Sequence, residues 1–213
     1  MTSESIRDPK KDHLLTTENS VFILIDYQPV QVNSIASMDQ QLLVNQIVGT
    51  TKVAVAYGLP IIHSTVNVAT GANKPTISQL GNLLKDYPVY DRTSINSWED
   101  VEFKKAVEAT GRKKLIMTAL WTEACLTFPA LDALAEGYEV YVIADAVGGT
   151  SLAAHEYALR RVEQAGAKLL SFTQLICELQ RDWGRSATVP NFLKIFVETG
   201  GTMGLQISSE QQK

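Results

Sequence analysis

Short, mostly apolar runs alternate about six times with stretches whose apolar residues recur at helical spacing. The first is VFILI, Val21 to Ile25. A run with no polar alternation predicts a strand buried on both faces, as in a parallel sheet. Residues 39–57 then carry Leu42, Leu43, Ile47, Val48 and Val55 on one helical face, closed by Gly58. Leu59 to Val66 is the second strand, 77–84 a short helix, and Pro88 to Tyr90 a third, weaker strand. A helix over 102–110 ends at Gly111, and Leu115 to Ala119 is the fourth strand. Phe128 to Glu136 is a helix, Tyr138 to Ala144 the fifth strand, and Ser151 to Ala165 a helix with His155 on its surface. Lys168 to Phe172 is the sixth strand, followed by a helix over 173–183 in which Cys177 is a packing residue. Strands alternating with helices predict an α/β fold, a three-layer sandwich around a six-stranded parallel sheet. Residues 1–19 are expected to be an arm and 20–187 one domain. The tail, 188–213, has an amphipathic piece, NFLKIFVE, suited to a subunit interface.

Three strand ends carry candidate chemistry. Asp26 follows the first strand directly, where open α/β sheets bind ligands in a crevice; the alternative is a turn or N-cap aspartate. Arg92 follows the third strand, either as a surface ion-pair partner or as a fixed cation that polarises without shuttling protons. Cys125 lies between the fourth strand and the next helix. A helix N-terminus lowers a thiol pKa, and its free N–H groups can hold an oxyanion. The bland alternative is a small buried hydrophobe. His63 is alone in the second strand, with no second ligand at metal spacing. Asp145 reads as a cap, and Asn96 and Ser97 as loop or capping groups. Trp98 is a pocket wall or core filler.

Composition narrows the classes. The chain has 213 residues, 45% hydrophobic and 20% charged, with a formal net charge of -4. Those values fit one ordinary globular domain and give no reason to expect nucleic acid or an anionic membrane as partner. Two cysteines are too few for a disulfide framework. No apolar stretch approaches the roughly 18 residues of a membrane span, and the polar N-terminus lacks a signal-peptide core. A cytoplasmic protein is expected. The GxGxxG, GxxxxGK[ST] and GxSxG patterns are absent, which argues against dinucleotide, P-loop and serine-elbow sites.

The segments VFILIDYQ, DRTSINSW and TALWTEACLTFPALDALAEGYEVYVIADA resemble the isochorismatase-like cysteine hydrolase superfamily, and within it the YcaC-like branch of unassigned substrate. The resemblance spans about residues 15–185 and implies a Rossmann-like fold. Thr122, Cys125, Asp132, Ala133, Gly137, Tyr138, Asp145 and Ala146 fall on family positions. It implies Asp26 as general base and Cys125 as nucleophile, with Arg92 where many members carry lysine. It also implies a cis peptide at Leu120-Trp121, with N–H groups from Thr122 to Cys125 forming an oxyanion hole. The segment from His63 to Gly71 lacks the Asp/His metal pattern of nicotinamidases, so no metal and no cofactor are expected. Gln28, Asn67, Trp98, Trp121 and Phe128 are the expected pocket walls for a small-molecule amide or related acyl substrate. The family forms tetramers and octamers, so a homo-oligomer is implied. The alternatives are a catalytically weakened member serving as an oligomeric binding protein, and a redox-sensing thiol.

Overall fold

A computed structural model describes residues 6–199 and 201–211. In chain order the elements are β1 (Ser20–Ile25), α1 (Pro29–Asn33), α2 (Gln40–Ala56), β2 (Ile61–Val66), α3 (Ser78–Gly81) and β3 (Val89–Arg92). There follow α4 (Val101–Ala109), β4 (Lys114–Ala119), α5 (Thr127–Ala135), β5 (Glu139–Ile143) and α6 (Leu152–Gln164). The chain ends with β6 (Lys168–Leu170), α7 (Phe172–Gln180), α8 (Val189–Thr199) and α9 (Gly201–Gln211). All strand pairs are parallel, in the order β3-β2-β1-β4-β5-β6.

The two central strands are buried at every position, which is why their sequences show no alternation. They pair in register from Ser20↔Lys114 to Ile25↔Ala119. Side chains of opposite parity feed two cores. Phe22 and Leu24 meet Leu43, Ile47, Leu175 and Phe196 on one face. Ile23 and Ile25 meet Phe103, Met117, Leu126 and Val162 on the other. Chain order reverses between β1 and β4, so their carboxyl ends open the crevice where such sheets take ligands.

Several boundaries differ from the pattern. β3 runs to Arg92, so that residue is held in the ladder, opposite Val66. β6 stops at Leu170 because the Ser171 side chain accepts from Gln174 N–H and starts α7 with Phe172. The tail joins the fold. Phe192, Ile195 and Phe196 of α8 are buried against the first core, and the polar end forms α9. Gly49 permits this approach, since a Cβ there would lie 2.7 Å from Thr199 Oγ1.

Residues 6–19 lie against the domain as a strap. Lys114 at the start of β4 is buried, and its ammonium donates to the carbonyls of Asp12 (2.7 Å), His13 (2.6 Å) and Leu14 (3.2 Å). Arg181 adds an ion pair to Asp12 at 2.9 Å, and Glu178 accepts the Leu15 N–H at 2.6 Å. The first five residues of the expected arm lie outside the described residues, as do Gly200 and the last two of the tail. Among the described residues no helix is long and apolar enough to cross a membrane.

Candidate active site

Asp26 is the first residue past β1 and adopts a left-handed backbone, φ 63°. That conformation is unfavourable for a residue with a Cβ and is tolerated best by Asp, Asn and Gly. It turns the chain out of the sheet while its N–H still donates to Ser64 O at 3.0 Å. The carboxylate is fully buried. Arg92, two strands away, reaches across β2 to meet it. Nη1 donates to Oδ1 and Nη2 to Oδ2, both at 2.7 Å, a fork-to-carboxylate pair. Nη1 also donates to Ser64 Oγ at 3.0 Å and Thr65 O at 3.1 Å, and Nη2 to Ile95 O at 3.2 Å. Burial opposes the guanidinium charge, but the bond to Asp26 and its charge more than offset this, so the Arg92 pKa lies above its ordinary value.

Cys125 approaches from the other side. After β4 the Leu120-Trp121 peptide is cis, and residues Thr122–Leu126 form a single π-helical turn that leads into α5. The Leu126 N–H reaches back to Trp121 O, and Thr127 Oγ1 donates to Thr122 O at 2.6 Å. The turn holds Cys125, 7% exposed, beside Asp26, whose charge acts on the thiol. Three side chains from three strand ends therefore meet: guanidinium, carboxylate, thiol.

The electrostatics reverse one expectation. The Cys125 thiol is not lowered by its place at a helix start but pushed up to about 12. Burial is the largest cause, then the Asp26 charge and the hydrogen bond to it. The Arg92 charge and the Trp121 backbone N–H pull the other way without offsetting these. Arg92 points its fork at the carboxylate, so the anion nearest the sulfur is Asp26. The resting group is a protonated thiol.

The remaining candidates divide. Gln28 is fully buried and its amide is engaged, donating to Val66 O and Lys74 O and accepting from Val66 N–H. It clamps the 67–75 loop and presents nothing to a ligand. Trp98 fills the core, edge-on to Phe103 and Tyr138, with its indole N–H on Glu136 at 3.0 Å. Asn67, Trp121 and Phe128 are half-buried and keep exposed surface. Asn67 has φ 61°, and Trp121 donates its indole N–H to Ser34 Oγ at 2.6 Å. Leu120 is fully buried and donates its N–H to Ile25 O. The Thr122 N–H donates to Gly148 O at 2.9 Å and the Ala124 N–H to Trp121 O, so neither stands open for an oxyanion.

Sequence reasoning passed over Ser64 and Thr65, which grip Arg92 through the Ser64 hydroxyl and the Thr65 carbonyl; the Ser64 signal was a hydroxyl in a buried strand, and the Thr65 carbonyl left none. It also placed His155 on a helix surface. The residue is 8% exposed, with Nδ1 2.8 Å from Thr122 Oγ1. Among the described residues, no group of three or more His, Cys, Asp or Glu side chains could hold a metal ion. His63 pairs with Thr76 Oγ1 at 2.6 Å and lines a cavity of about 450 Å³ with Thr65, Leu84, Tyr87, Val89 and Asp91. Asp26, Arg92 and Cys125 are not among the residues lining it.

A family model described as the isochorismatase domain matches residues 20–174. The Escherichia coli protein described as "Probable hydrolase YcaC" is 34% identical over 184 residues, covering 86% of this chain and 85% of that one. Two solved structures superpose over nearly the whole chain. YcaC from Pseudomonas aeruginosa, with hexane-2,5-diol and covalent acrylamide, has a TM-score of 0.87 at 29% identity, covering 93% of this chain and 98% of that one. The Escherichia coli YcaC gene product, described as an octameric hydrolase of unknown specificity, has a TM-score of 0.88 at 30% identity, covering 95% and 98%. A Bacillus subtilis nicotinamidase, at 17% identity and TM-score 0.60, shares the fold.

Proposed function

The chain belongs to the isochorismatase family of hydrolases, and from that membership we propose that it cleaves a small amide or related acyl C–N bond through a thioester on Cys125. The observation that carries the proposal is the buried cluster of Arg92, Asp26 and Cys125 at one end of the sheet. With the resting thiol protonated, deprotonation has to accompany attack. Asp26 takes the Sγ proton as the sulfur adds to the substrate carbonyl. The Cys125 N–H, from the expected set of Thr122 to Cys125, is the proposed oxyanion donor. The C–N bond then breaks, and Asp26 returns its proton to the departing amine. Water, deprotonated by the same carboxylate, attacks the thioester and frees the acid. Arg92 neither gives nor takes a proton. It fixes the Asp26 carboxylate through two parallel hydrogen bonds, a role that suits a fork better than a single ammonium.

Asn67, Trp121 and Phe128 are the proposed walls, a mixed amide and aromatic lining suited to an uncharged or aromatic acyl group. The covalent acrylamide in the Pseudomonas relative supports a site open to small amides. The octameric Escherichia coli relative supports a homo-oligomer here, measurable by light scattering on a sizing column. A redox-sensing thiol fits less well, since oxidation by peroxide starts from thiolate.

The deciding experiment is mass spectrometry of the protein quenched during turnover of a panel of small amides. An acyl adduct on the Cys125 peptide, with adduct and turnover both lost in Cys125→Ala, is the expected result. Turnover that persists in Cys125→Ala would refute the nucleophile assignment.

A further inference from the structure

Thr122 opens the turn that carries the sulfur, and each of its polar groups is engaged. Its N–H donates to Gly148 O at 2.9 Å, its carbonyl accepts from Thr127 Oγ1 at 2.6 Å, and its hydroxyl meets His155 Nδ1 at 2.8 Å. The first of these partners lies in the loop before α6, and the last on α6 itself. Thr122 is fully buried and His155 nearly so. Burial lowers the His155 pKa, with the charges of Glu123 and Glu156 opposing without offsetting it. The imidazole is therefore neutral at pH 7, with one donor and one acceptor nitrogen, and a hydroxyl can satisfy either at Nδ1. The neighbouring Glu123 joins the same seam. Its Oε1 accepts from Thr150 N–H at 2.9 Å and Thr150 Oγ1 at 2.6 Å. Gly149 between them has no room for a side chain. A Cβ there would lie 2.6 Å from Glu123 Oε2 and 3.0 Å from His155 Cβ.

The nucleophile turn is thus held from two sides. Asp26 faces the sulfur, and α6 with its preceding loop grips the backbone behind it. Three residues on from Thr122, in the same turn, stands Cys125, 7% exposed. We propose that His155 is a positioning residue: through the Thr122 hydroxyl it fixes the turn that carries Cys125 and so sets the reactivity of that sulfur. The proposal rests on Cys125 being the reactive thiol of the site. Nothing on His155 touches the sulfur. Its effect passes along the turn from Thr122 to Cys125, and it requires a hydrogen-bonding atom where Nδ1 stands.

The test needs no substrate. Iodoacetamide alkylation of the two cysteines is followed by peptide mass spectrometry at pH 8, with exposed Cys177 on α7 as reference within the same molecule. Loss of the buried His155–Thr122 hydrogen bond, about 1.4 kcal/mol, corresponds to about a tenfold fall in the rate at a sulfur that the turn positions. His155→Ala is expected to lower the Cys125 to Cys177 rate ratio by about that factor. His155→Asn, whose amide stands near the Nδ1 position, is expected to restore most of it. Should His155→Ala fail to fold, Thr122→Val and Thr122→Ser decide, the first losing the ratio and the second keeping it. A His155→Ala ratio within twofold of the parent would overturn the proposal. So would equal loss in the Ala and Asn variants, or equal ratios in the two Thr122 variants. A changed ratio in a protein that turns over no amide would leave the positioning role standing and count against the hydrolase function alone.

Discussion

Replacing Asp26 by Asn separates the two jobs assigned to that carboxylate. The Asp26–Arg92 pair is wholly enclosed, with both side chains at 0% exposure and both bonds at 2.7 Å. Removing one partner of such a pair leaves a charge in a low-dielectric interior and costs about 3–5 kcal/mol. For a chain of 213 residues, each kcal/mol moves Tm by about 2–4 °C, so a fall of about 6–20 °C is expected. The double variant Asp26→Asn with Arg92→Met removes both charges and is expected to recover most of that loss. The same substitution acts on the sulfur in the opposite sense. The Asp26 charge and hydrogen bond both push the Cys125 thiol up, so in Asp26→Asn its pKa falls below about 12 and alkylation at pH 8 speeds up. Amide turnover nevertheless falls, because no group is left to accept the proton. Urea unfolding, calorimetry and iodoacetamide kinetics on the single and double variants measure all three effects. A stability loss below about 1 kcal/mol, or alkylation slower than in the parent, would refute the electrostatic account.

Three further outcomes follow from the same structure. Arg92→Lys exchanges a fork making five hydrogen bonds for one ammonium; a loss of about 1–3 kcal/mol in urea unfolding and slower but measurable turnover are expected, and an unchanged Tm would contradict the role given to the fork. Burial lowers His63 from the usual 6.5 to about 4, so between those values the unfolded chain binds more protons than the folded one. Stability is therefore lost as pH falls from 6.5 towards 4, by about 3 kcal/mol, and His63→Gln removes that part of the slope in unfolding measured at pH 7.5, 6 and 4.5. Lys114→Met takes the shared donor from three carbonyls of the strap; a loss of about 2 kcal/mol and faster proteolysis between Ile6 and Leu15 are expected, with an unchanged digestion rate as the contrary result.

The α/β class, the parallel sheet and the order of its elements were legible in the chain, because a strand covered on both faces has to be apolar throughout and a covering helix has to repeat every 3.6 residues. Asp26, Arg92 and Cys125 were legible as candidates because each stands where an apolar run ends. What they do to one another was not. That Arg92 reaches over β2 to Asp26, and that burial and then Asp26, rather than the helix start, set the state of the sulfur, depends on distances of a few ångströms between residues far apart in sequence. The Gln28 clamp and the buried His155 were invisible for the same reason, and the choice between pocket wall and core for Trp98 stayed open: a polar or aromatic side chain carries no local mark of the partner it will meet. The Lys114 strap joins residues about 100 positions apart, and no local pattern encodes such a contact. Local periodicity determines which face of each element is buried; only the closed sheet decides which buried charges become neighbours, because Coulomb and hydrogen-bond energies depend on separation in space and not on separation along the chain.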